Sequence, residues 1–366
     1  MATATTNDTA ILLFNLGGPD DLASVEPFLV NLFSDREIIE LPGGAALQPV
    51  LARAIAKLRG PSVRRNYARI GGGSPQLRLT REQAGALETR LNAGRCGGRT
   101  FRVFVAMRYS RPSCEDALTA IAAAGIRRIV TLTLFPQYSN ATTGSSRREF
   151  DRVIAKAVWG SMKFEVTHID RYAVDPRYLD AMSQTVISAW DAIPAARRHD
   201  AVVLFSAHGL PQRFIDAGDP YVEQIEATRR GILDRIKLPN RQVLAYQSRT
   251  GPVKWIGPGT DEMLHRLADY GVHDVLVVPL SFVSDHIETL YEVDILFAGV
   301  AARAGITGYY RTAALNTSPL FISALAGLVE RHLALPARKS CASCQSHVPH
   351  PQAIPLPVRE RLPAAV

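Results

Sequence analysis

Three apolar segments recur in the same order in the two halves of this chain, and no other feature limits its fold as tightly. AILLFNLGGP (residues 10–19) is echoed by AVVLFSAHGLP (201–211), and FRVFVAMRYSRP (101–112) by RQVLAYQSRTGP (241–252). The third pair is AAGIRRIVTLTLFPQYS (123–139) and DYGVHDVLVVPLSFVS (269–284). Near-continuous apolar runs of this kind read as strands buried on both faces of a parallel sheet. Parallel neighbours need crossover connections, which are right-handed βαβ units. A repeated set of them predicts a duplicated α/β domain: two similar Rossmann-like domains, each a parallel sheet flanked by helices.

Helical spacing fills the intervals. It runs from Leu22 to Phe33 and from Glu115 to Ala124, while Leu47 to Lys57 is apolar and basic and precedes the loop Gly71-Gly72-Gly73-Ser74-Pro75. At 366 residues, two domains is the natural expectation. The change of domain is placed near His168 to Asp175, giving residues 8–167 to domain one and 168–335 to domain two. Beyond Leu335, a composition of Pro, Ser, Arg and Ala without periodicity predicts an irregular C-terminal tail, 336–366.

Composition narrows the class. Hydrophobic residues are 47% and charged ones 21%, ordinary for a folded soluble protein. No apolar run approaches the roughly 18 residues of a membrane span. MATATTNDTA at the start has neither a basic nor an apolar signal region, so a cytoplasmic protein is expected. Four cysteines do not make a disulfide framework. A net charge of +8 favours acidic partners, but no zinc-finger, helix-turn-helix or RNP-like signature accompanies it, so nucleic acid is not expected.

The chemistry concentrates after the last repeated strand, in VLVVPLSFVSDHIETLYEVD (275–294). Pro279 removes a ladder donor, Ser284 and Asp285 are good N-cap residues, and Ile287, Leu290 and Tyr291 follow a helical spacing. Ligands of open α/β sheets bind where strand ends feed helix starts, which puts Asp285, His286 and Glu288 at such a crevice. Glu288 and Glu292, four apart, share a helix face. That pattern suits a cation site, and it equally suits a solvated acidic face. His208 ends the strand VVLF of domain two and faces the same side, so His208 and Glu288 can converge on a divalent first-row metal such as Fe²⁺. LGGP (16–19) lacks the G-x-G-x-x-G spacing, and no G-x-x-x-x-G-K-[ST] is present, so no nucleotide site is expected.

Seven stretches together carry a family resemblance: NLGGPD (15–20), YARIGGGSP (67–75), MRYSRP (107–112), FPQYSNATTGSS (135–146), FSAHGLP (205–211), YQSRTGPVKWIGPGTDE (246–262) and SFVSDHIETLYEVDI (281–295). Over about residues 10–335 the chain resembles ferrochelatases, which insert ferrous iron into protoporphyrin IX to make protohaem, the last step of haem biosynthesis. The resemblance implies two chelatase-like domains around a porphyrin cleft, with iron as substrate and no required cofactor. It implies that His208 and Glu288 bind the metal and handle the pyrrole protons, with Asp285 and His286 in support. Arg59, Tyr67 and Ser74 correspond to porphyrin-contacting positions, Arg108 and Tyr109 to cleft-lining ones, and Trp255 to the cleft wall. An arginine suits a propionate and an aromatic ring suits the macrocycle face.

Two departures from the family pattern stand out. Some ferrochelatases hold a [2Fe–2S] cluster with one internal and three tail cysteines; here Cys341 and Cys344 remain, Asn140 replaces the internal one and Pro349 the third of the tail. The cluster is therefore expected to be absent, and Cys96 and Cys114 to be incidental thiols. Leu296 stands where some relatives carry an acid one turn beyond Glu292, so a path along the acids must turn to solvent near Glu292 or use Asp294. Leu47, Val50, Leu51 and Ile55 alternate with Arg53 and Lys57, ahead of Arg59, Arg64 and Arg65. Such a helix can pack on the domain or rest peripherally on an inner membrane face. Alternatives left open are coproporphyrin III as substrate, cobalt or nickel insertion into a sirohydrochlorin-type ring, and a non-catalytic haem carrier. Oligomeric state is not legible.

Overall fold

A computed structural model describes residues 8–93, 99–159, 162–238, 240–249, 251 and 253–334. The duplication is present in its topology. β1 (Thr9–Asn15), β2 (Phe101–Met107), β3 (Arg128–Thr133) and β4 (Glu165–Ile169) form a parallel sheet in the order β2-β1-β3-β4. β5 (Val202–His208), β6 (Gln242–Gln247), β7 (Asp274–Pro279) and β8 (Gly308–Arg311) form another in the order β6-β5-β7-β8. The sheets match rung for rung: Leu134 N–H donates to Phe14 O, and Leu280 N–H to Ser206 O, each at 2.9 Å. β1 and β7 are buried along their whole lengths, and β5 up to His208, which is why these strands show no polar alternation. Fully burying a Leu, Val or Phe there stabilises by about 1.5–3 kcal/mol.

Helices cover both sheets. In domain one they are α1 (Val25–Ser34), α2 (Gly44–Ala68), α3 (Gln76–Ala93), α4 (Cys114–Ala123) and α5 (Ser145–Ile154). α6 (Pro176–Ala192) follows β4, and after it come α7 (Gln212–Asp216), α8 (Tyr221–Ile236), α9 (Thr260–Asp269), α10 (Ala298–Ala304) and α11 (Pro319–Ala334). α1 and α2 have a small core of their own, Val25, Leu29, Phe33, Ala52, Ala56 and Tyr67, and among the described residues nothing between β5 and β6 corresponds to it. This insertion is the lip. None of the helices among the described residues is long and apolar enough to cross a membrane.

The chain leaves the first sheet later than expected. β4 pairs His168 with Thr131 and Ile169 with Leu132, so a division between 167 and 168 passes through a strand. α11 then packs on both α6 and α3, tying the end of the described chain back to domain one. Tail residues Cys341 and Cys344, and Cys96, lie outside the described residues.

Candidate active site

The strand ends of the second sheet build the site. His208 is the last residue of β5, and β7 stops at Pro279, leaving the loop from Leu280 to Ile287 to enter a helix at Glu288. That helix is not the α-helix expected: Glu288–Phe297 is π-helical, and neither Ser284 nor Asp285 caps it in the ordinary way. The Asp285 carboxylate instead accepts from Asn316 Nδ2 at 2.9 Å, Arg311 Nη1 at 3.2 Å and Thr289 Oγ1 at 3.3 Å. An i→i+5 helix is wider than an α-helix and recurs at functional sites. Here its first two acids meet a single hydroxyl.

His208 Nδ1 lies 2.7 Å from Glu288 Oε2. Ser248 Oγ is 2.8 Å from the same oxygen and 2.6 Å from Glu292 Oε2, while Gln247 Nε2 donates to the Glu288 carbonyl at 3.0 Å. Ser248 reaches this place with φ at 65°, a conformation uncommon for any residue but glycine. A hydroxyl has one proton, so it cannot donate to both carboxylates at once. The 2.6 Å contact is best made when Glu292 itself is protonated. Burial, and next the Glu288 charge, do push the Glu292 carboxyl up to about 7.

Glu288 goes the other way. Burial opposes its ionisation, but the imidazole of His208, followed by His286 and the Ser248 hydroxyl, holds it well below the usual carboxylate range. For His208 burial acts downward, and the charge and hydrogen bond of Glu288 outweigh it, so its pKa is raised. An ionised Glu288 accepts only, hence Nδ1 carries the hydrogen and Nε2 is left for the substrate side. Nδ1 and Oε2 thus face each other, and Nε2 is the imidazole atom that could meet a metal ion. Among the described residues no group of three or more His, Cys, Asp or Glu is arranged to hold a metal ion. His286 is buried with Nδ1 unpartnered, its ring 4.2 Å from that of Phe282, and burial lowers its pKa.

The lip comes down on this pair. Ile287 packs into the lip core, Arg69 stacks 5.6 Å from the Tyr291 ring, and Tyr67 is near enough that the Glu288 charge adds to burial in raising its phenol. Gly18 sits between Ser74 and Tyr67, where a Cβ would come 2.7 Å from Ser74 and 3.7 Å from the Tyr67 hydroxyl. Trp255 pairs with Pro211, three residues past His208, and lines a cavity of about 420 Å³ together with Ser248, Glu292 and Leu296. These four expected residues, His208, Glu288, Tyr67 and Trp255, are therefore brought into one neighbourhood.

Others are not. Arg59 stays on α2, its guanidinium 5.8 Å from the Phe33 ring. Tyr109 is buried, 2% exposed. Its hydroxyl donates to Asp35 at 2.7 Å, and Arg108 is taken up by the same carboxylate at 2.6 Å and by Ser145 at 2.8 Å. Asp294 is held by Arg311 through contacts of 2.6 and 2.9 Å, so it is not free to extend the acidic path. Ser248, Gln247, Ser281 and Tyr221 were missed as individual residues, although the first two stand in the YQSRTGP stretch and Ser281 opens the SFVSDHIETLYEVDI stretch that mark the resemblance.

Two duplicated parallel α/β domains, with a histidine–carboxylate pair at the strand ends and a lip against it, define the two-domain chelatase class of fold. A Bacillus subtilis protein of that class, SirB solved with Fe³⁺, superposes with a TM-score of 0.52 at 12% identity, covering 89% of this chain and 96% of its own. In sequence the agreement is much closer: the ferrochelatase family model matches residues 8–333. Ferrochelatases of Geobacter metallireducens and Geotalea uraniireducens are 51% and 50% identical to it, over 88% of this chain and 98% and 97% of theirs. The chain belongs to the ferrochelatase family, and it is an enzyme, a metal chelatase.

Proposed function

We propose that this enzyme inserts Fe²⁺ into protoporphyrin IX to form protohaem, with His208 as the base and Glu288 as the group that orients and charges it. Insertion exchanges two pyrrole protons for one metal ion, so the site must accept protons in a place sheltered from water. The 2.7 Å contact between His208 Nδ1 and Glu288 Oε2 carries the assignment. It selects the tautomer whose Nε2 lone pair can take a pyrrole proton or meet the incoming ion. Glu292, poised at about 7 and sharing Ser248 with Glu288, is suited to relay the second proton: it gives up the proton it holds to the cavity beside Leu296, and the carboxylate so formed takes the next one.

Tyr67 and Trp255 are proposed to flank the macrocycle, and Ser74 to meet its polar edge. Rigid walls of this kind can hold the ring distorted, which exposes nitrogen lone pairs otherwise confined to its plane. Replacing His208 by Ala is expected to abolish metal insertion, followed by the change of the porphyrin absorption spectrum, while porphyrin binding is kept. Near-normal turnover in that variant removes the assignment.

The lip is also proposed to touch membrane. Leu47, Val50 and Leu58 are 50%, 59% and 82% exposed on α2, beside the exposed Arg53 and Lys57. An apolar face rimmed with basic residues suits an anionic headgroup surface, where a hydrophobic porphyrin also partitions. Sedimentation with anionic vesicles at low salt checks it, and absence of binding there refutes it.

A further inference from the structure

Ser281 and Tyr221 take no part in the chemistry above, yet both reach the main chain of His208. Among the described residues, the last main-chain rung between β5 and β7 at this end joins Leu280 to Ser206. Two residues further along β5, side chains take over the ladder. His208 N–H donates to Ser281 Oγ at 2.9 Å, the Tyr221 hydroxyl donates to His208 O at 3.0 Å, and the two hydroxyl oxygens are 2.6 Å apart.

The protons balance in one arrangement. With the amide giving to Ser281, Ser281 giving to Tyr221 and Tyr221 giving to the His208 carbonyl, each donor is used once and the ring closes. Ser281 and Tyr221 are 7% and 5% exposed, so solvent scarcely competes for these bonds. Tyr221 is itself anchored across the domain boundary: its N–H donates to Asp219 Oδ1 at 3.0 Å, and Asp219 Oδ2 accepts from Ser139 Oγ at 2.9 Å and Asn140 N–H at 2.7 Å. We propose that Ser281 and Tyr221 are positioning residues for metal insertion, holding the main chain of His208 so that its ring is delivered onto Glu288.

Domain one supplies a natural control. The rung from Leu134 to Phe14 matches that from Leu280 to Ser206, so Leu16 and Phe135 stand where His208 and Ser281 stand. Where no imidazole has to be aimed, both partners are apolar.

This inference rests on the role given to His208, and the test separates the two. Ser281→Ala and Tyr221→Phe each delete one hydroxyl; each is expected to lower kcat about tenfold while leaving the KM for porphyrin within about twofold, since a small misplacement of a reacting group costs rate rather than remote binding. Turnover is counted per porphyrin-binding site, titrated by fluorescence quenching, so unfolded protein does not enter. The double variant is expected to be no slower than the slower single one, because either deletion opens the ring, and Ser281→Thr is expected to keep kcat. Unchanged kcat in both single variants, or losses that multiply in the double, would overturn the proposal. If those variants are fully active while His208→Ala is dead, the positioning role falls and the base role stands; an active His208→Ala removes both.

Discussion

The segments that follow β3 and β7 begin alike and end differently. Each leaves the third strand of its sheet and passes through a π-helical stretch, Asn140–Gly144 in domain one and Glu288–Phe297 in domain two. The first contains Asn140, Ala141, Thr142, Thr143 and Gly144, with no ionisable side chain. Its N-terminal amides are satisfied by Ser139 and, from the other domain, by Asp219. The second is twice as long and carries Glu288 and Glu292 against His208 and Ser248. One scaffold thus forms a joint between the domains in one half and holds a buried histidine–carboxylate cluster in the other. Function resides in what the strand ends hold, and the fold alone does not supply it.

Substituting the acids tests this division most severely. Glu288→Gln keeps the shape but cannot hold an imidazolium, and kcat is expected to fall about 10²-fold or more, with porphyrin affinity little changed. A loss confined to melting temperature, with normal turnover per folded molecule, would make the second π-helix a joint like the first.

The next effect belongs to domain one and concerns stability. Asp35 is buried against Arg108, Tyr109 and Ser145, and its loss leaves the Arg108 charge uncompensated. Asp35→Ala is expected to destabilise by about 3 kcal/mol in chemical denaturation, since breaking a buried pair from one side typically costs about 3–5 kcal/mol. Turnover per folded molecule should stay within about twofold. A large fall in kcat without loss of stability would move part of the chemistry into domain one.

The smallest effect is a gain in stability that appears only as pH rises. Glu292 titrates at about 7 in the folded chain against an ordinary 4.5, so unfolding releases its proton more readily and its burial costs stability above pH 4.5, fully so above 7. Glu292→Gln should therefore raise the melting temperature at pH 8, on the order of 2–4 °C, and leave it unchanged near pH 4. Its turnover should drop only mildly beside that of Glu288→Gln. A melting temperature that falls equally at both pH values would show Glu292 to be an ordinary structural acid.

How much of this was legible beforehand differs residue by residue. Strand placement was, because β2, β3, β5, β6 and β7 lie within the segments marked by apolar runs, and β1 does but for its first residue, Thr9. Burial on both faces leaves a strong one-dimensional trace. Helix type was not, because Ile287, Leu290 and Tyr291 fit an α-helical spacing although the backbone from Glu288 to Phe297 bonds i→i+5. Arg108 and Tyr109 came from the resemblance as cleft-lining positions; that Asp35, 73 and 74 positions earlier, hydrogen-bonds to both left no trace in the chain.

The sequence by itself determined the duplicated α/β plan and the family, and it singled out His208 and Glu288 as candidate residues, because each depends on local pattern or on short motifs kept together in the chain. Only the tertiary structure decided how those residues meet. The Nδ1-to-Oε2 contact, the hydroxyl shared by Glu288 and Glu292, and the ring around His208 join residues 80, 44, 40, 73 and 13 positions apart. Hydrogen bonds and charge couplings of that range act over a few ångströms of space, and only the packing of β5, β6 and β7 brings the partners that close.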